Sequence, residues 1–514
     1  MNTWSLFSVA LFFAHALAAI GPSATLTLSN VQLSPDGNSR DTVVANAQFP
    51  GPLITGNKGA SFSLNVIDNL NDTNMDLVSS VHWHGLFQHG TAHADGPSFV
   101  TQCPLIPGES FNYQFSVPDQ AGTYWYHSHY RNQYCDGLRG PLVIYDPRDP
   151  NESLYDVDND STVITLADWY HYFSTNPVVP PAPSTTLING KGRFSGGPLV
   201  DLAVINVVKG SRYRFRLVSI SCDTNFIFSI DGHQFTVIEV DGVNHQPLLI
   251  DNVQIFAAQR YSLVMAANQP VGNYWIRAQP NNINASFANG QNSAILRYSG
   301  AAVADPTSTS SLSLPLAEQN LHPLTDAVPP GLPVPGGADI NIQLLVSFNG
   351  TAFLVNGVPF QAPSVPVLLQ ILSGTPANSL LPSGSVFSLA RNKTVEISIP
   401  GGVIAGPHPV HLHGHVFSVV RSAGNSTYNF INPPQRDTVS IGTAATDNTT
   451  IRFVTNNPGP WFMHCHIDWH LNTGFAVVMA EDVADIPSVD RPPSSFNNIC
   501  SNYNTYAAAN GLSP

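Results

Sequence analysis

Four His-x-His tripeptides punctuate the chain: His82-Trp83-His84, His127-Ser128-His129, His411-Leu412-His413 and His464-Cys465-His466. Neutral imidazole is the commonest metal-ligating side chain, and on an extended strand residues i and i+2 share a face. Each tripeptide therefore presents two rings on one side of a sheet. A lone histidine is most often a satisfied core or surface side chain, but eight in four ordered pairs predict several bound metals. Two pairs lie early and two late in the chain. A cluster built from all four would clamp the two ends together.

The last tripeptide carries a sharper expectation. The central side chain of an extended strand points away from its neighbours, so Cys465 faces one metal while His464 and His466 face others behind it. With His408 and His470 it completes the two-His, one-Cys set of a blue-copper electron-transfer site. A cysteine so placed is both ligand and conductor. Phe475, ten residues after Cys465, stands where an axial methionine is expected. Besides being a core residue it cannot ligate, and loss of a thioether donor in apolar surroundings favours the cuprous state and a higher potential.

The elements that must position these residues read as short strands. Ser61–Val66, Arg212–Leu217 and Val395–Ile399 alternate with period two between Gly, Pro and Asn turns, the pattern of antiparallel β-structure, and long amphipathic helical patterns are scarce. An all-β protein of sandwiches or barrels follows. The pieces recur: Lys58-Gly59-Ala60 leads to Gly122-Thr123-Tyr124-Trp125-Tyr126-His127, Lys209-Gly210-Ser211 to Gly272-Asn273-Tyr274-Trp275-Ile276-Arg277, and Arg391-Asn392-Lys393 to Gly459-Pro460-Trp461-Phe462-Met463-His464. Three related domains follow, with limits at 19–149, 150–318 and 319–514, the second boundary lying in the Pro- and Ser-rich stretch 305–337. Ile276 and Arg277 replace histidines in the middle copy. That domain is expected to hold no metal, to act as a spacer and to supply walls of a substrate pocket.

With 514 residues, 43% hydrophobic and only 11% charged, the chain can bury several cores. Its net charge of −14 and lack of any Lys/Arg run exclude a nucleic-acid surface. Residues 1–18 hold a short apolar run ending in Ala16-Leu17-Ala18, a signal-peptide pattern, and no later stretch is long enough to span a bilayer. A secreted, extracellular, monomeric glycoprotein is expected, with acceptors at Asn71, Asn151, Asn159, Asn284, Asn349, Asn392, Asn425 and Asn448. Of five cysteines one must stay unpaired in an oxidising compartment, and Cys465 is the natural candidate. The other four admit more than one pairing.

These motifs, including His82-Trp83-His84-Gly85, Tyr126-His127-Ser128-His129, His408-Pro409-Val410-His411-Leu412-His413-Gly414-His415 and His464-Cys465-His466-Ile467-Asp468-Trp469-His470, resemble the multicopper oxidases, and among them the fungal laccases, from about Ile20 to Cys500. The resemblance implies three cupredoxin-like Greek-key β-barrels and four coppers. It implies type 1 copper on His408, Cys465 and His470, type 2 on His82 and His411, and the type 3 pair on His84, His127, His129, His413, His464 and His466. His415 is left as a supporting residue. It also implies the disulfides Cys103–Cys500 and Cys135–Cys222. Asp223 becomes the base beside His470 that takes the phenolic proton, and Asp95 the acid near the oxygen-reducing cluster. Phenolic donors, lignin phenols among them, and O2 are the implied partners, oxidised one electron at a time and reduced to water respectively.

The chain departs from the family at His93, where tryptophan is common and which is read here as silent surface variation, and at Thr224 and Trp469. A sister oxidase acting on ferrous iron, ascorbate or bilirubin is disfavoured by Phe475. A simple electron carrier would leave eight histidines unexplained.

Overall fold

The computed structural model describes residues 19–281 and 285–513, so the signal-peptide reading and the Asn284 acceptor lie outside the described residues. Strand Ser61–Asp68 shows how patterning becomes structure. Phe62, Leu64 and Val66 point inward while the residues between them do not, and they lie opposite Phe115, Tyr113 and Phe111 of Ser110–Ser116. These inward faces form the core of the first unit.

Three two-sheet units follow one another, and one of the two sheets repeats its wiring each time. In the first unit its strand order is Ile54–Asn57, Arg139–Tyr145, Gly122–Ser128, Val81–His84. In the middle unit Val204–Val207, Ser293–Tyr298, Asn273–Pro280 and Phe226–Ile230 take the same places, and in the last Val386–Leu389, Ala476–Glu481, Gly459–Cys465 and Pro409–Leu412. The first pairing in each row is parallel and the next two antiparallel. The antiparallel pattern read from the sequence holds for most pairings, and one parallel pair per sheet adds to it. Period two reports a half-buried strand but is blind to its neighbour's direction.

The wiring explains why the tripeptides meet. His82-x-His84 and the Gly122–Ser128 strand are neighbours with His82 opposite His127. In the last unit His411 lies opposite His464. At the corresponding edge of the middle unit Ile230 faces Ile276, and Arg277 forms a two-pronged pair with Asp231 instead of binding a metal.

The chain ends in a helix, Ile499–Asn510, terminated by Gly511 in the left-handed region at φ +66°. Ile499, Tyr503 and Ala507 from this helix, with Phe496 before it, join the core of the first unit. Cys500 is bonded to Cys103, and Cys135 to Cys222. One continuous core runs through all three units, including Trp125, Trp169, Val218, Trp461 and Cys465.

Candidate metal centres

The four tripeptides converge at the junction of the first and last units, and all eight rings are buried. His84 stacks on His411 with centroids 3.8 Å apart, and His82 on His413 at 4.0 Å. Rings from the two ends of the chain thus interleave. Their donor atoms gather into triads, His82/His84/His411, His84/His127/His466 and His129/His413/His464, each within 4.8 Å.

Burial first, and neighbouring imidazoles second, hold His84, His127, His129, His411, His413 and His466 well below the usual histidine range. Burial takes His464 down to about 3. Neutral rings keep a lone pair free for a metal.

The hydrogen bonds select which nitrogen is offered. His82 Nδ1 is held by the Asp95 carbonyl at 2.7 Å, His127 Nδ1 by Ser128 O at 2.8 Å, His411 Nδ1 by Asp437 O at 2.8 Å and His464 Nδ1 by Cys465 O at 2.9 Å, so each offers Nε2. His84 is reversed: its Nε2 faces Asp437 Oδ1 at 3.4 Å, and its Nδ1 is left over. The offered atoms of His82, His84, His127, His129, His411 and His466 have no hydrogen-bond partner although buried. Orphaned polar atoms at this density are costly, and a cluster of cations satisfies them; the donor set fits the group.

The second centre lies behind Cys465. His408 Nδ1 and His470 Nδ1 are 3.1 Å apart, and Cys465 Sγ is 3.6 and 3.7 Å from them. Cys465 is the free cysteine. His408 Nε2 donates to Ile404 O at 3.1 Å, leaving Nδ1 as the ligand atom. Burial raises the Cys465 thiol and takes His408 to about 4 and His470 to about 3. A metal ion reverses that burden on the thiol, since thiolate is the ligating form. Phe475 is buried with its ring 5.3 Å from that of His408 and 5.6 Å from Phe353, so the surroundings of the Cys465 centre are aromatic on that side and carry no thioether.

Comparison with known proteins gives the family. Residues 27–149, 160–301 and 360–485 each match the multicopper oxidase family. Laccase-2 of Pleurotus ostreatus is 58% identical over 512 residues, covering 97% of this chain and 96% of the relative. A laccase of Trametes hirsuta is 60% identical over 503 residues, covering 97% of each. The chain belongs to the multicopper oxidases, among the laccases. Among solved structures, the laccase from Botrytis aclada superposes with TM-score 0.80 at 31% identity, covering 95% of this chain and 92% of that one. Fet3p, a multicopper oxidase that functions in iron import, gives 0.82 at 28%, covering 94% and 95%. The three units are therefore cupredoxin-like domains, and the cofactors are four coppers of types 1, 2 and 3.

In this multicopper oxidase two carboxylates bridge the halves of the histidine cluster. Asp95 takes His82 Nδ1 on its carbonyl and His413 Nδ1 on Oδ2 at 2.8 Å, one ring from each end of the chain. Burial raises its pKa, opposed by His82. Asp437 serves His84 and His411 in the same way. No motif marked Asp437 in the sequence. His415 is buried with Nε2 2.9 Å from Glu481, outside the ligand triads.

Asp223 lines a cavity of about 330 Å³ with Arg193, Phe194, Thr224 and Asn292, and His470 is not among that cavity's walls. What holds Asp223 in place is Asp168, whose carboxylate accepts the successive backbone N–H groups of Cys222, Asp223 and Thr224 at 2.8, 2.8 and 3.0 Å. It also takes Arg139 at 3.0 Å and the Tyr170 hydroxyl at 2.9 Å. Removing Asp168 would strand a buried guanidinium, a loss of about 3–5 kcal/mol. Burial, then the Asp168 charge, pushes the Asp223 carboxyl up to about 7.

Two expectations are corrected. His93 is not surface variation: it is buried, its backbone N–H donates to Asp490 Oδ2 at 2.9 Å, and its ring pairs with the same carboxylate. Asn151 is an unsuitable glycan acceptor, because it is buried and its amide nitrogen donates to Asn244 at 3.3 Å. Asn71, Asn159, Asn349 and Asn392 are exposed, and Asn425 and Asn448 half-buried.

Proposed function

We propose that His408, Cys465 and His470 hold the type 1 copper, that His82 and His411 hold type 2, and that His84, His127 and His466 hold one type 3 ion while His129, His413 and His464 hold the other. The observation that carries this reading is the set of buried, unpartnered ring nitrogens grouped in triads across the interface. The chemistry supplied by the bound coppers is one-electron oxidation of phenolic donors at the cysteine centre and four-electron, four-proton reduction of O2 to two waters at the cluster.

The chain's own residues do the rest. Cys465 joins the two centres through its bonded neighbours His464 and His466, with His464 Nδ1 also held by the Cys465 carbonyl. His470 is half-buried, which makes it the ring a donor reaches. Asp223 takes the phenolic proton as the electron leaves. Asp95, whose carboxyl burial shifts upward, is the acid that serves proton supply beside the cluster while fixing His82 and His413. A cavity of about 380 Å³ lined by Ser98, Phe99, Arg131 and Phe462 reaches His129 and offers O2 a route. Among the described residues no helix is long and apolar enough to cross a membrane; secretion as a monomer is part of the proposal and rests on the leader pattern of residues 1–18 and the chain's composition.

The deciding experiment measures copper content, visible absorbance and O2 uptake with 2,6-dimethoxyphenol on the purified protein. Four coppers, a thiolate-to-copper band at about 600 nm and donor-dependent uptake are expected; full copper and colour without phenol-driven uptake would sink the phenol reading.

Two variants test individual roles. Phe475→Met adds an axial thioether and should lower the type 1 potential, read by redox titration of the blue band. Asp223→Asn should lower kcat/KM for 2,6-dimethoxyphenol by about 10²-fold in acid. In the wild type the acid limb rises as the Asp223 carboxylate forms, towards about pH 7. In the variant only phenolate reacts, so the optimum moves to higher pH; an unchanged profile would remove Asp223 from the proton transfer.

A further inference from the structure

The middle domain supplies no ligand, yet one of its side chains reaches the edge of the histidine cluster. Arg260 opens strand Arg260–Ala266 and is fully buried. Its Nη1 and Nη2 donate to the two oxygens of Asp437 at 2.8 and 2.7 Å, its Nε donates to the Thr123 carbonyl of the first domain at 2.9 Å, and its Nη1 also meets Ala258 O at 3.1 Å. Asp437 belongs to the last domain. All three domains thus meet on one guanidinium.

What Arg260 holds is a carboxylate with a second task. Asp437 Oδ1 faces His84 Nε2, and the Asp437 carbonyl accepts from His411 Nδ1. Those are the two rings that stack most closely across the interface. Within the cluster His84 is the ring turned to offer Nδ1; its other nitrogen faces Asp437 Oδ1 and, at 3.5 Å, the hydroxyl of Thr438, which itself donates to Asp437 Oδ1 at 2.9 Å and lies 3.2 Å from His411 Nδ1. A second observation shows how tightly the pair is seated. Gly85, the residue after His84, has φ +89°, and a Cβ there would lie 2.6 Å from Arg260 Nη2 and 2.8 Å from Asp437 Oδ2. The ion pair is packed directly on the backbone that carries His84.

We propose that Arg260 is a positioning residue of the oxygen-reducing centre: its two-pronged hold on Asp437 sets the tilt of His84 and the tautomer of His411 from the otherwise ligand-free middle domain. The role rests on the ligand reading above. Lysine keeps the charge but lacks the rigid fork that fixes both carboxylate oxygens, so Arg260→Lys isolates orientation from charge.

The test compares wild-type, R260K and R436K proteins under graded chelator, with copper per chain, the type 2 electron paramagnetic resonance signal and the blue band followed together. Arg436 is the right control. It is buried in the same network, on Asp241 at 3.0 Å and Glu318 at 2.7 Å, one pair away from the histidines. R260K should keep its blue band but release cluster copper at chelator levels about tenfold or more below wild type, the usual loss when support of a metal ligand is removed. R436K should lower thermal stability while retaining cluster copper as wild type does. If R260K retains copper and type 2 signal as R436K does, Arg260 is only a fastener and the role is overturned. Should R260K fail to fold, D437N gives the same readout: a wild-type type 2 signal there overturns the role, and an altered one supports it. Wild-type protein holding only the blue copper would overturn the ligand reading along with it, whereas equality of the two variants removes the role alone.

Discussion

Cys465→Ser protein is expected to be colourless, to keep its cluster copper and to consume no O2 with any phenolic donor. Serine is nearly isosteric, so the fully buried site should tolerate it sterically. What disappears is the thiolate, and with it both the charge-transfer band and the soft ligand that selects copper in a trigonal set with His408 and His470. The bonds between the two centres also lose their sulfur end. His82, His84, His127, His411, His413 and His464 are held by Asp95, Asp437 or main-chain carbonyls and His466 by the Tyr134 hydroxyl, none of them by Sγ, so the cluster coppers should remain. Copper analysis with visible and paramagnetic spectra checks all three statements. Residual donor-driven O2 uptake would mean that electrons reach the cluster without Cys465.

Asp95→Ala should give the opposite phenotype, a blue protein that accepts electrons and passes them only slowly to O2. Under anaerobic conditions a donor should bleach the blue band at the wild-type rate, because Asp95 contacts neither His408, Cys465 nor His470 in the hydrogen-bond network. Reoxidation by O2 should slow by about 10–100-fold, the effect of losing the partner that orients ligand rings. Asp95→Asn separates the two duties of this residue. An amide oxygen can still accept from His413 Nδ1 but holds no acid proton. If Asn restores reoxidation, orientation is the main duty; if it behaves as Ala does, the proton is. Stopped-flow absorbance at the blue band reads both halves in one experiment.

The ligand-bearing residues were legible because they come as local patterns. Four His-x-His tripeptides and the Cys465 register need only the two-residue period of a strand, and a strand running from a glycine to a histidine five residues on, Gly122 to His127 and Gly459 to His464, takes equivalent places in two domains. What supports them was not legible. Asp437 lies 353 residues from His84, Asp168 is 55 from Asp223, and Arg260 is 177 from Asp437. A carboxylate or guanidinium whose partner is set by tertiary folding has no spacing to betray it. The same limit explains His93, whose partner Asp490 is 397 residues away. Asn151 fits its three-residue acceptor pattern, yet burial is a property of the surrounding sheets. The terminal helix was missed for another reason: its sequence, Ile499–Asn510, is rich in Asn and Ala and its buried side is a narrow stripe of Ile499, Tyr503 and Ala507, so its docking on the first domain, rather than strong amphipathicity, accounts for it.

That docking has a consequence for the order in which the protein is made. Phe496, Ile499, Tyr503 and Ala507 complete the hydrophobic core of the domain that is synthesised first, and Cys103 awaits a partner 397 residues downstream. Until the segment 496–510 has been made, that domain therefore lacks part of its interior. The histidine cluster is subject to the same delay, since its triads combine rings of the first and last domains and none exists until both have been made.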